Sequence, residues 1–330
     1  MILVRAALEH IFAALERVVT ALVYAWGLAR GRGRGEVRVP ILMYHQVGLA
    51  LEGVPGGSDR VTPARFETQM QAIADAGYRV IRLATLVGAI RDGRIHELRR
   101  SVVLTFDDGY RGQFAFAYPV LKRRRLPATF FVVAGSLGSM SLLPHLSGGP
   151  PFPRSGAPPS PAWLPFSPDE VREMTAGGMS IGSHALTHRS LGCLRPSERS
   201  VELRRSKEIL ERDAGAPVDL FAYPFGSPAY GDLDPAAQEA LGDAGYAAAC
   251  TTVIGRAGAL SERLALPRVP VDESDGPFRV RCKLAGAYDW VGPIKLLWQL
   301  TVPRLDRVNA TAPPEPETAP AWTIHEHPGH

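Results

Sequence analysis

The sequence predicts an α/β fold, a closed barrel of about seven parallel strands, and three observations carry that expectation. Short apolar, β-prone runs alternate with helical segments from Val37 to Val271, the order that builds a parallel sheet covered by helices. Seven or eight such runs within about 250 residues favour a closed barrel over an open, doubly wound sheet. No Gly-rich phosphate loop follows the first run, so a nucleotide-binding sheet has no support.

The first 36 residues read as an amphipathic helix followed by a Gly/Arg linker. The longest apolar run, Val18 to Ala29, has twelve residues, well below the ~20 that span a bilayer. Glu9 and Glu16 fall where a secretory signal needs a charge-free stretch, which argues against export by that route. Tyr24 and Trp26 near the end of this segment, with Arg30, Arg32 and Arg34 after it, suit peripheral contact with an anionic membrane surface. Packing of the same helix on its own domain is the alternative, and the sequence favours neither.

From Val37 to Tyr44 an apolar stretch predicts the first buried strand. A helix over Pro63–Ala76 follows, with Thr62 as N-cap and Pro63 at its first position. Strands at Tyr78–Ile81 and Ser101–Phe106 come next, then a helix near Phe114–Arg124 and a strand at Ala128–Val133. Residues 135–166 are rich in Pro, Gly and Ser and too long for an ordinary connection; they read as a flap over a site or as a disordered insertion. The alternation resumes with helices at Pro168–Ala176, Pro196–Asp213 and Pro235–Ala244, and strands at Met179–Ser183, Leu220–Tyr223, Ala247–Thr251 and Arg268–Val271. Residues 286–330 form a last helical segment and a Pro-rich tail. In the former, Tyr288, Trp290 and Trp298 read as packing groups before sugar-stacking ones.

Composition narrows the function. A net charge of +4 comes from 37 basic and 33 acidic residues spread along the chain, so nucleic acid is not the implied partner. The densest basic run, Lys122 to Arg125, reads as a solvated helix face. Three cysteines, far apart and never in a C-x-x-C pair, suggest neither a disulfide framework nor a structural zinc site. A cytoplasmic setting, at the membrane surface if the N-terminal helix binds there, is the expectation.

Chemistry is concentrated in three clusters, each directly after a predicted strand, where a parallel barrel carries its active site. Asp107 and Asp108 follow Phe106 and precede Gly109 and Tyr110. Adjacent carboxylates repel each other and are tolerated where a cation compensates, leaving one for proton transfer; Asp-Asp-Gly taken alone is an ordinary turn. His184 and His188, four apart after Ser183, reach one ion if a helical turn begins there. Two imidazoles and one carboxylate leave a zinc-like ion open to water, a catalytic count rather than a structural one. Cys193 as a fourth ligand would close that opening. The third cluster, Phe221-Ala222-Tyr223-Pro224-Phe225-Gly226, fixes a turn at the proline and exposes a backbone N–H, for instance that of Phe225, able to stabilise an oxyanion.

In this order the three motifs resemble the polysaccharide deacetylase family (NodB homology, carbohydrate esterase family 4). The similarity extends to Pro40-Ile-Leu-Met-Tyr-His45 and Leu266-Pro-Arg268-Val-Pro, covering Val37 to Leu284. It implies a distorted (β/α) barrel as a catalytic domain over residues 37–285, and hydrolysis of an N-acetyl group on a sugar. Carried over residue by residue, it makes Asp107 the general base and Asp108, His184 and His188 the metal ligands, with the Phe225 N–H on the oxyanion. Ala222 stands where the family often has arginine, and no late Leu-x-His motif supplies the usual general acid. Both departures resemble the subgroup that includes bacterial poly-N-acetylglucosamine deacetylases, in which an N-terminal Met-Tyr-His takes part in the site. His45 is therefore the candidate acid, against a core histidine at a strand end. Arg268 is the candidate partner orienting Asp107, against a surface arginine at a strand start. Tyr110, Tyr223, Pro224 and Gly226 are candidate substrate contacts.

The implied cofactor is a divalent metal, zinc first, with Co2+, Ni2+ and Mn2+ as alternatives. The implied partner is an N-acetylated carbohydrate. Action on an O-acetyl ester or another non-peptide C–N bond is the alternative within enzymes, and a carbohydrate-binding protein with a degenerate site the alternative outside them.

Overall fold

The computed structural model describes residues 2–29, 35–49, 60–141, 143 and 160–301, with side chains described from residue 14 to residue 297 within those limits. Expectations for the linker arginines, most of residues 135–166 and the tail beyond 301 lie outside them.

Eight parallel strands form one sheet. In chain order they include β1 (Ile41–Tyr44), β4 (Arg79–Ile81), β5 (Ser101–Phe106), β6 (Thr129–Val132), β7 (Ser180–Ser183), β8 (Leu220–Ala222), β9 (Ala248–Ile254) and β10 (Leu266–Pro270). The spatial order is β1-β10-β9-β8-β7-β6-β5-β4, and β5 also pairs with β1 from Ile41↔Val103 to Tyr44↔Phe106. That pairing closes seven strands into a barrel, and β4 lies against the first half of β5. A two-stranded pair, β2 (Gln46–Val47) and β3 (Arg60–Val61), sits apart from it.

Helices cover the barrel where the proline and cap signals predict them. α2 (Pro63–Asp75), after the N-terminal α1 (Ile2–Ala29), has Thr62 accepting from the Arg65 N–H at 3.3 Å, one donor of the first turn satisfied by an N-cap. In α5 (Pro168–Ala176), Ser167 and Glu170 form a reciprocal capping box. Between them lie α3 (Leu83–Arg91) and α4 (Tyr118–Arg124), and after them come α6 (Pro196–Ala214), α7 (Pro235–Asp243), α8 (Pro277–Leu284) and α9 (Val291–Thr301). α3 is an addition to the sequence expectation, as is a π-helical turn at Gln113–Ala117 ahead of α4.

Strand alternation separates two apolar cores. Leu42, Tyr44, Leu104, Phe106 and Phe130 pack outward with the helices. Ile41, Val103, Phe131, Cys250 and Leu266 form a second cluster with Leu83 and Leu86 of α3. The aromatic rings of Tyr44, Phe106 and Phe130 stack in succession, at 5.2 and 4.7 Å between centroids, and fix the strands whose ends carry the polar clusters.

Candidate active site at the strand ends

Asp107 continues the ladder past β5: its N–H donates to the Tyr44 carbonyl at 2.9 Å. Its carboxylate turns into the barrel and is buried with Arg268, which donates Nη1 to Oδ1 and Nη2 to Oδ2, both at 2.6 Å. The guanidinium is fully buried, held by the Thr251 carbonyl at 2.8 Å and lying over the Phe131 ring. This two-point fork fixes both charge and orientation. Burial alone pushes Asp107 up, but Arg268 and the nearby imidazoles outweigh it and hold the carboxyl below its ordinary value. The surface reading of Arg268 is thereby corrected: it lies within β10, not at a strand start.

Asp108 faces the other way. A left-handed φ of 75° turns the chain there, a conformation uncommon outside glycine but tolerated by aspartate. Its Oδ1 lies 3.4 Å from His184 Nε2 and 3.3 Å from His188 Nε2. Gly109 follows at φ 79°, where a Cβ would meet Val132 at 3.0 Å, so glycine lets the turn sit against β6.

His184 enters at the end of β7, its N–H donating to the Val132 carbonyl at 2.9 Å. Its Nδ1 lies 2.8 Å from the Ala222 carbonyl. A carbonyl only accepts, so Nδ1 carries a proton, and Nε2 is the nitrogen that faces Asp108. Between the histidines the chain makes no helical turn, contrary to the sequence expectation. Ala185 and His188 both take left-handed φ, 63° and 62°. The loop is pinned by buried Glu202 of α6, which accepts from the N–H groups of Leu186 and Thr187 at 2.8 and 2.9 Å and from the Thr187 hydroxyl. The two rings come to 4.9 Å. Burial drives His188 below its ordinary value; for His184 burial acts the same way, but the neighbouring carboxylates prevail and raise it.

Asp108, His184 and His188 each offer one donor atom, and all three lie within 4.8 Å of one another. One carboxylate oxygen and two imidazole nitrogens, with His184 held from behind by a carbonyl, fit a divalent transition metal.

Residues 95–249, which hold Asp107, Asp108, His184 and His188, match the polysaccharide deacetylase family model. YxkH of Bacillus subtilis (strain 168), which carries the same family name, is 30% identical over 236 residues, covering 71% of this chain and 71% of that protein. The chain belongs to the polysaccharide deacetylase family. The chitin deacetylase of Colletotrichum lindemuthianum is 28% identical over 148 residues, covering 44% of this chain and 48% of that protein. The solved structure of Streptococcus pyogenes deacetylase PplD in complex with acetate superposes with a TM-score of 0.62 at 24% identity, covering 76% of this chain and 99% of that one, and shares the barrel.

The remaining residues singled out from the sequence divide by where this family member places them. His45 Nε2 lies 3.9 Å from Asp107 Oδ2, with 22% of its side chain exposed. Phe225 packs its ring 5.5 Å from that of His188, and among the described residues its N–H donates to no carbonyl. Pro224 beside it is half-buried. Three candidate substrate contacts are corrected. The Tyr223 ring is fully buried, its hydroxyl donating to the Leu264 carbonyl at 2.8 Å, because strand alternation turns it into the core. Tyr110 is buried against Trp163 and bridges to Pro165, so it secures the 160–166 segment. Gly226, at φ 55°, leaves no room for a Cβ beside Thr252 N, 2.6 Å away; the close approach it permits is to β9 rather than to a ligand.

Three positioning groups escaped the sequence reading. Glu202 is one. Gln113, buried in the π-helical turn, donates Nε2 to the carbonyls of both His45 and Asp107, at 2.9 and 2.5 Å. Asp232, fully buried, accepts from Ser190 Oγ at 2.6 Å and from the N–H groups of Gly192 and Ser227 at 3.2 and 3.4 Å. It thereby ties the loop after His188 to the loop after Phe225. Burial raises its carboxyl above the ordinary value, against the hydrogen bonds it accepts. In sequence a buried carboxylate or amide on a helix or loop is indistinguishable from a solvated one.

Proposed function

We propose that this chain hydrolyses an N-acetyl group on a sugar or polysaccharide, releasing acetate, with a divalent ion held by Asp108, His184 and His188. The reading rests on one observation above the others: these three donors converge beside a second carboxylate, Asp107, whose charge a buried arginine already balances. Membership of the family supports the acetylated carbohydrate, and the Colletotrichum lindemuthianum relative named a chitin deacetylase supports the N-acetyl linkage.

Zinc suits the donor set, with cobalt, nickel and manganese as alternatives. An ion held by Asp108, His184 and His188 would supply Lewis acidity, lowering the pKa of water and offsetting charge on the carbonyl oxygen. Asp107, kept ionised by Arg268, takes the proton from the attacking water. The Phe225 N–H donates to the oxyanion, a contact worth about 2.7–4 kcal/mol in sites of this type. An amine leaves poorly without a proton, and His45, beside Asp107 and partly open to solvent, hands it one. Gln113 keeps the backbones of acid and base in register.

The test is acetate release from N-acetylglucosamine oligosaccharides by the purified chain, before and after chelation and after metal is restored. Acetate that appears only with metal supports the reading. A metal-loaded protein inert on N-acetyl sugars but active on O-acetyl esters would replace it.

A further inference from the structure

α1 docks on the barrel with its polar side. Glu16 accepts from Arg279 of α8 at 2.9 Å, and Trp290 Nε1 donates to Thr20 at 3.2 Å. Glu16 and Thr20 are buried, and Tyr24 one turn further meets Phe278 edge to face, with centroids 5.6 Å apart. The opposite side carries Leu15, Val18, Leu22, Ala25, Trp26 and Ala29 at three- and four-residue spacing, all exposed, Leu22 to 65% and Trp26 to 61%. In the sequence the same spacing runs back through Ile11, Leu8 and Val4.

A surface helix of a water-soluble barrel ordinarily turns its apolar stripe inward. Here the arrangement is inverted, and a contiguous apolar stripe with no charged residue on it is presented outward, the mark of a surface made to be covered. Three arginines, Arg30, Arg32 and Arg34, follow the helix within five residues. Cations grouped at the end of an apolar stripe complement an anionic surface, and a tryptophan on that stripe suits the headgroup boundary. No described helix is long and apolar enough to cross a membrane, so the chemistry is that of a helix lying in the interface plane.

We propose that α1 is a membrane-docking element: it holds the barrel on an anionic phospholipid bilayer, with the Leu15–Ala29 stripe at the acyl boundary. The inference stands apart from the catalytic reading, since none of these residues lines the site at the strand ends.

Flotation of the full chain with vesicles tests it, using phosphatidylcholine alone and phosphatidylcholine mixed with phosphatidylglycerol. The wild-type chain floats with the mixed vesicles and far less with the neutral ones. The double variant L22E/W26E, its fold checked by circular dichroism, binds the mixed vesicles roughly tenfold or more weakly. The triple variant R30Q/R32Q/R34Q keeps residual binding but loses the preference for anionic lipid. Equal flotation of wild type and L22E/W26E would overturn the proposal. So would sedimentation velocity showing a lipid-free wild-type dimer that L22E/W26E converts to monomer, since the stripe would then be covered by a second copy of the chain.

Discussion

Asp107 and Asp108 are neighbours in sequence and opposites in setting. Asp107 points into the barrel, where a permanently charged guanidinium grips both oxygens at 2.6 Å. Asp108, turned by its left-handed backbone, faces two imidazoles at 3.3 and 3.4 Å, groups that carry charge only when protonated. One carboxylate has its counter-charge built into the fold; the other has two imidazole nitrogens around it. Under the proposed function the difference separates a base from a ligand, and it arises from one backbone torsion and one buried arginine rather than from residue type.

The largest effect that would sharpen this contrast comes from Asp107→Asn. Turnover falls by roughly 10²–10⁴-fold, while the Asp108 side is untouched; initial rates of acetate release read the loss, and near wild-type rates would assign the base elsewhere.

Next in size, Arg268→Met strands a buried carboxylate and lowers stability by roughly 3–5 kcal/mol at neutral pH, read by urea denaturation. The pH dependence carries a sign. In the wild type Asp107 sits below the ordinary value of about 3.9, so its stabilisation is present above about pH 4 and is lost as pH falls through the depressed folded value. Without Arg268 only the imidazoles oppose burial, and the expected outcome is a value raised above the unfolded one. Asp107 then destabilises at neutral pH, and its burden is relieved as the medium is acidified through the raised value. The acid limb of the pH–rate profile moves upward with it; an unmoved limb would mean that Arg268 does not set the charge on the base.

His45→Ala tests the acid against the base. Hydrolysis of the N-acetyl substrate drops about 10²-fold, whereas an activated acetyl ester, whose leaving group needs no proton, is cleaved at close to the wild-type rate. Equal losses on both substrates would move His45 from proton donor to a binding role.

A smaller effect comes from the loop that carries the two imidazoles. Glu202→Gln retains the side-chain volume but weakens the grip on the Leu186 and Thr187 amides, so metal affinity falls by about 10–100-fold. Competition with a chromogenic chelator measures it, and excess metal restores turnover.

Much of the architecture was legible because local and global signals agreed. Ser101–Phe106 is a buried apolar run ending in a polar turn, and Pro168–Ala176 opens on a capping box; both have the predicted bounds. α3 was not legible, being nine residues long with no side-chain cap at Arg82, and two-residue strands such as β2 and β3 carry no periodicity at all. The three donors and Asp107 could be read because strand ends place them. Their supports could not: Glu202 lies 15 and 16 residues from the amides it holds, and Asp232 lies 42 from Ser190. The helical turn expected at His184 failed for a related reason: left-handed Ala185 and His188 flank two amides held by a distant carboxylate, and this brings the rings together without one.

Metal content measured side by side in the wild type, Asp107→Asn and Asp108→Asn tests the central claim most directly. After purification and dialysis against limiting zinc, mass spectrometry of the acid-digested protein should find one ion per chain in the wild type and in Asp107→Asn, and essentially none in Asp108→Asn. Equal loading of the two variants, or loss from Asp107→Asn alone, would contradict the division of labour between these adjacent carboxylates.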